Sequence, residues 1–120
     1  METPKLFDSQ EQNVPEDVDE LVRELRITKR EFALALGLHP DSITRRARQR
    51  SLSTQRRLKE TFVALKRVRP WAGSTSAAWS WCRAQPIPAL GGLTAAELIG
   101  AGRGDEVQAF LDTIAEGGYA

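Results

Sequence analysis

The stretch ITKREFALALGLHPDSITRRARQR, positions 27–50, decides the fold. Thr28 followed three residues later by Glu31 is a capping-box pair, in which each side chain satisfies a backbone N–H at the start of a helix. The helix it opens carries Phe32, Ala35 and Leu36 on one face, and Gly37 is placed to end it as a left-handed residue. Pro40 suits the first turn of a second helix, where its missing N–H costs nothing. Ile43 and Ala47 give that second helix a narrow apolar side, and the rest of it is polar or basic. A short helix, a three- to four-residue turn around Gly37 and a second helix rich in groups that reach DNA make a helix-turn-helix. Ala33 falls where close helix approach needs a small residue, Gly37 where the turn needs a positive φ, and Ile43 where the second helix anchors in the core.

Outward from the turn, the residues near the start of the second helix are those that face a major groove: His39, Asp41, Ser42, Thr44 and Arg45, with Arg46 and Arg48 on the DNA backbone or base edges. The candidate DNA-binding set is His39, Ser42, Thr44, Arg45, Arg46, Arg48 and Arg50. Overall charge is near balance, 17 basic residues against 16 acidic, but its distribution is not. Between positions 45 and 69 lie ten cations (Arg45, Arg46, Arg48, Arg50, Arg56, Arg57, Lys59, Lys66, Arg67 and Arg69) and one acid, Glu60. Such a strip supplies sequence-independent affinity by releasing counterions from phosphate. The bland alternative is a solvated face of a three-helix bundle, yet ten cations to one acid exceed the mixed-sign surface that solubility favours.

The remaining periodicity is helical too, and the expected fold class is all-α. Val18, Leu21, Val22 and Leu25 repeat at the helical period behind Glu16, Asp17 and Asp19, acids suited to a helix N-terminus. Ser53 or Thr54 is placed to cap a helix whose Leu58, Phe62, Leu65 and Val68 form a stripe that ends before Pro70. STSAAWSWCRAQ, positions 74–85, reads as a further helix, and PIPALGG, with two prolines and two glycines, as a loop. Thr94 with Glu97 is a second capping box, opening a short helix through Ile99. Asp105 starts the last helix, where Val107, Phe110, Leu111 and Ile114 hold it against the domain and Gly117 and Gly118 stop it.

A chain of 120 residues buries roughly two thirds of its unfolded surface, enough for one core or two lobes sharing one, without disulfides or metal. Cys82 and His39 are the only residues of their types, so no disulfide forms within the chain and no structural zinc tetrahedron closes. Cys82 as a nucleophile served by His39 is weighed against Cys82 as a small half-buried hydrophobe, and the second is favoured. With no paired carboxylates, phosphate loop or cofactor motif, the expectation is a binding protein that is no enzyme and holds no cofactor. The N-terminus lacks an apolar signal region and no stretch reaches the ~18 apolar residues of a membrane helix, so a cytoplasmic location without membrane contact is expected. Positions 1–15, acidic and broken by Pro4 and Pro15, read as a flexible leader. Positions 16–69 form the helix-turn-helix region, and 70–120 a second unit.

That second unit is distinctive. From position 70 to 96 the only charged residue is Arg83, while Trp71, Trp79 and Trp81 all fall inside the window. Trp79 and Trp81 precede a proline-rich turn; Pro88-Ala89-Leu90-Gly91-Gly92 is followed by Leu93-Thr94-Ala95-Ala96-Glu97-Leu98; and the chain closes on Gly117-Gly118-Tyr119-Ala120. Together these resemble the C-terminal toxin-binding domain of the Xre/MbcA/ParS antitoxin family, and the helix-turn-helix resembles the Xre-like front half of the same family. Two features depart from the commoner family form: the spacing from Trp81 to Pro86 is longer, and Ile87 stands in place of an asparagine. The resemblance implies an antitoxin of a type II toxin–antitoxin system whose partner is a RES-domain toxin that consumes NAD. It also implies that the C-terminal tail blocks the toxin's active site and that the chain represses its own operon through operator DNA, as a homodimer within a toxin–antitoxin hetero-oligomer. The implied toxin-binding residues are Trp79, Trp81, Leu90, Gly91, Gly92, Gly117, Gly118, Tyr119 and Ala120. At least one of the three tryptophans is expected in the core. The competing expectation is a stand-alone helix-turn-helix repressor whose back half only dimerises it.

Overall fold

In the computed structural model, residues 14–15, 17–44 and 51–117 are described, with the backbone alone at Thr44. Helix α1 (Val18–Leu25) starts at Asp17, whose carboxylate accepts the Asp19 N–H at 3.1 Å, and it buries Val18, Leu21, Val22 and Leu25. It ends without a glycine: Arg26 takes the left-handed conformation at φ 61°, and the Ile27 N–H reaches back to the Val22 carbonyl at 3.1 Å. A side chain there costs about 1–2 kcal/mol.

In helix α2 (Lys29–Ala35) both halves of the capping box are made: the Glu31 N–H donates to Thr28 Oγ1 at 3.0 Å, and the Thr28 N–H to Glu31 Oε1 at 2.9 Å. Gly37 follows at φ 69°. Helix α3 is described over Asp41–Thr44, so the connection spans five residues, 36–40, rather than three or four. The extra length arises because His39 and Pro40 stand ahead of the helix, their carbonyls accepting from the Ser42 and Ile43 N–H groups at 2.8 and 3.3 Å.

Two expectations about helix α4 (Leu52–Ala72) are corrected. Its cap is Ser51, whose Oγ accepts the Thr54 N–H, rather than Ser53 or Thr54. It also runs through Pro70 to Gly73, whose N–H bonds the Arg69 carbonyl at 2.8 Å. Proline removes one backbone donor here, but the added turn brings Trp71 edge-on to Trp81, with ring centroids 5.4 Å apart and planes at 88°. Such a contact contributes about 0.5–1.5 kcal/mol beyond its buried area. Helix α5 (Thr75–Ala84) is capped by Ser74. The stretch expected to be an irregular loop instead holds a 3-10 turn, Pro88–Leu90. That turn is pinched by a single antiparallel bridge between Ile87 and Leu93. Ile87 is 1% exposed, so a hydrophobic side chain anchors the turn there. Helix α6 (Ala95–Gly100) carries the second complete capping box, Thr94 with Glu97, and helix α7 (Gly104–Ala115) closes the described chain.

Seven α-helices and the 3-10 turn therefore form an all-α fold, with no strand among the described residues. No described helix is long and apolar enough to cross a membrane. One hydrophobic cluster takes Leu21 from α1, Phe32 from α2, Leu65 from α4, Trp79 from α5, Leu98 from α6 and Val107 from α7. Each such side chain, fully buried, contributes about 1.5–3 kcal/mol. Val14, inside the stretch expected to be leader, is also buried in this cluster. Contacts between the helix-turn-helix and the back half include Phe32 against Trp79, ring centroids 5.1 Å apart, and Gly37 against Gly100. At the start of α7, the Glu60 carboxylate lies over Gly104, in the space a β-carbon would take. Glu60 Oε1 has no hydrogen-bond partner, and burial raises the Glu60 pKa above the ordinary carboxylate value while Arg56 pulls it back.

Candidate functional site

Two surfaces carry the expected functional residues. On the first, the helix-turn-helix, Ala33, Leu36 and Ile43 are fully buried and anchor α2 and α3. His39 is exposed, and its Nδ1 accepts the Asp41 N–H at 3.1 Å, so the ring caps the start of α3. Ser42 is half-buried beside it. Thr44 is placed by its backbone alone, and Arg45, Arg46, Arg48 and Arg50 lie outside the described residues.

The cation strip continues along α4, where its members divide into two kinds. Arg56 and Lys59 are exposed. Arg67 is turned inward, with Nη2 2.8 Å from Asp112 Oδ1 and Nη1 donating to Gln108 Oε1 at 2.9 Å. Arg69 Nε donates to Thr75 Oγ1 at 3.1 Å. Part of a run that looks phosphate-directed in sequence thus ties α4 to α5 and α7.

The second surface is a groove of about 790 Å³ between the end of α4, α5, the proline turn and α7. Trp71 and Trp81 form one wall, Phe110 and Ile114 another, Pro86 and Pro88 a third, and Gly117 lies at its end. Trp71, 49% exposed, is among the few large hydrophobic side chains presented to solvent. Sequence reasoning assigned Phe110 and Ile114 to holding α7 against the domain. All four residues of that stripe do so: Val107 and Leu111 are buried, at 0% and 3% exposure, while Phe110 and Ile114 are half-buried, packed against the core and also lining the groove.

Comparison of the chain with known family profiles, with curated proteins and with solved structures finds no match.

The groove collects some of the residues singled out in sequence and leaves others aside. Trp81 and Gly117 line it. Trp79, two positions from Trp81 and so on a different side of α5, is 5% exposed, packed on Phe32 with the Arg83 guanidinium 6.0 Å above its ring. Leu90 is half-buried against the core, and Gly91 and Gly92 form an exposed pair at φ 78° and 79°. Gly118, Tyr119 and Ala120 lie outside the described residues. Cys82 is more enclosed than the expected half-buried hydrophobe, at 1% exposure, and burial pushes its thiol pKa up to about 12. A thiol that stays protonated is a poor nucleophile. Among the described residues, no group of His, Cys, Asp and Glu is arranged to hold a metal ion.

Proposed function

We propose that this chain is an antitoxin that binds and neutralises a RES-domain, NAD-consuming toxin, with its C-terminal tail blocking the toxin's active site, and that it represses its own operon through the helix-turn-helix. It acts as a binding protein and catalyses no reaction. The observation that carries this is the open aromatic groove of Trp71, Trp81, Phe110 and Ile114, which ends at Gly117. Aromatic side chains open to a partner in such a groove suit a tight protein interface, in which tryptophan and tyrosine are over-represented. The ordered anchor residues Ala33, Gly37 and Ile43 support the DNA-binding half. The homodimer belongs to the same reading, since helix-turn-helix proteins commonly present two recognition helices to two half-sites.

The test is to mix the chain with the RES-domain protein encoded beside it and follow NAD loss. The intact chain is expected to suppress NAD loss at equimolar ratio and to co-elute with the toxin. The chain lacking Gly118, Tyr119 and Ala120, and separately Trp81→Ala, are expected to release it. Operator binding with no complex formed on the neighbouring gene product would replace this assignment with a stand-alone repressor.

A further inference from the structure

We infer that Glu60 is a proton-operated latch between α4 and α7: with its carboxyl neutral the first turn of α7 packs down on α4, and with its carboxyl ionised that turn loosens. The seam between the two helices has two ends. At one, Arg67 of α4 reaches Asp112 at 2.8 Å and Gln108 at 2.9 Å on α7, so its charge is answered. At the other, about two turns earlier on α4, the Glu60 carboxylate lies over Gly104, and its Oε1 is buried with no hydrogen-bond partner. Gly104 opens α7, and Arg103 ahead of it supplies no side-chain cap. The Arg103 guanidinium is committed to Glu106, with Nε 2.7 Å from Oε2 and Nη2 2.8 Å from Oε1.

The charges that act on Glu60 come from two elements. Arg56 and Arg57, on its own helix, favour the ionised form, and Asp105 on α7 opposes it. Helices α5 and α6 also pack on α4, but the one charge of α5, Arg83, stands over Trp79, and the one charge of α6, Glu97, accepts the Thr94 N–H. Burial outweighs the two arginines, because a charge taken from water without a partner favours its neutral form.

The folded chain therefore holds the Glu60 proton more tightly than the unfolded chain does. The seam is at full strength below the ordinary carboxyl value, 4.5, and weakens as pH rises from there through the folded value. Helix α7 also carries Phe110 and Ile114, so that wall of the groove is held most firmly in acid. This inference concerns the chain alone and does not depend on the antitoxin assignment.

NMR of the full-length chain tests it. The Glu60 side-chain carboxyl carbon is expected to titrate with a midpoint above 4.5. The amides of Val107, Gln108 and Ala109 bond back to residues 103–105, as helical geometry requires, so their hydrogen exchange reads the first turn of α7. Corrected for intrinsic exchange, their protection should fall by up to about tenfold per pH unit as pH passes through the Glu60 midpoint, while amides of α5 keep theirs. Glu60→Gln retains the shape without the charge and should keep the three amides at their acid protection throughout. A Glu60 midpoint at or below the ordinary value overturns the inference. So does protection in the parent that is unchanged across that midpoint, or protection in Glu60→Gln that falls in step with the parent's.

Discussion

Gly37 and Gly100 meet backbone to backbone. A β-carbon on Gly100 would stand 2.9 Å from the Leu36 carbonyl oxygen, and one on Gly37 would stand 3.3 Å from the Gly100 carbonyl oxygen. The turn of the helix-turn-helix is thereby held directly on the end of α6. Gly100→Ala pushes against backbone that cannot rotate away, and overpacking of this kind costs about 1–3 kcal/mol. We expect a lowered denaturation midpoint with an unchanged m-value in urea. A midpoint equal to the parent's would mean that the two turns separate freely.

The two tryptophans of α5 are expected to part company. Trp79→Ala removes a ring buried on Phe32, and losses of this type cost about 3–5 kcal/mol. Trp81→Ala strips a groove wall that is already half open, so its thermal shift should be several-fold smaller. Comparable shifts for the two variants would place Trp81 in the core and remove it from the groove's account.

For Cys82 the sign of the pH effect is fixed. Burial raises the folded thiol pKa from an ordinary 9.0 to about 12, so its contribution to stability is complete below pH 9 and is lost as pH rises toward 12. The unfolded chain releases its proton first, with a slope of at most about 1.4 kcal/mol per pH unit. Urea titrations of the parent and of Cys82→Ala over that window should converge as pH rises. Curves that remain parallel would show the thiol to be solvated. Disulfide-exchange reagents at pH 8 should likewise label Cys82 only on unfolding.

Within the cation strip, Arg56 and Arg67 make opposite predictions. Arg56→Ala removes an exposed charge, so the log–log salt slope of DNA binding should drop by about 0.9 if that side chain neutralises a phosphate. Arg67→Ala breaks the link to Asp112 and Gln108, so it should lower the melting temperature and leave the slope alone. The converse pattern would mean that Arg67 leaves Asp112 for DNA.

Local signals were the legible ones. Both capping boxes, the Gly37 turn and the buried stripe of α1 could be read from spacing alone, because each is settled by residues within one or two helical turns. Arg26 could not: nothing in an arginine marks a left-handed helix end, and the Ile27-to-Val22 hydrogen bond that fixes it belongs to the assembled turn. Pro70 misled in the other direction, since what carries the helix past it is Trp71 meeting Trp81, ten positions away. The groove was half legible. Its tryptophans were evident, but which one points outward depends on how α5 is rotated against Phe32, and the division of α7 between a buried side and a groove side depends on α4 and α6.

Glu60 and Gly104 share one volume, 44 positions apart. Any side chain at 104 must first displace the carboxylate above it, whereas shortening Glu60 opens that space and removes an oxygen that has no partner. Across the sequences descended from a common ancestor with this chain, the two columns should drift together: glycine at 104 beside a long acid at 60, alanine or serine at 104 beside a small residue there.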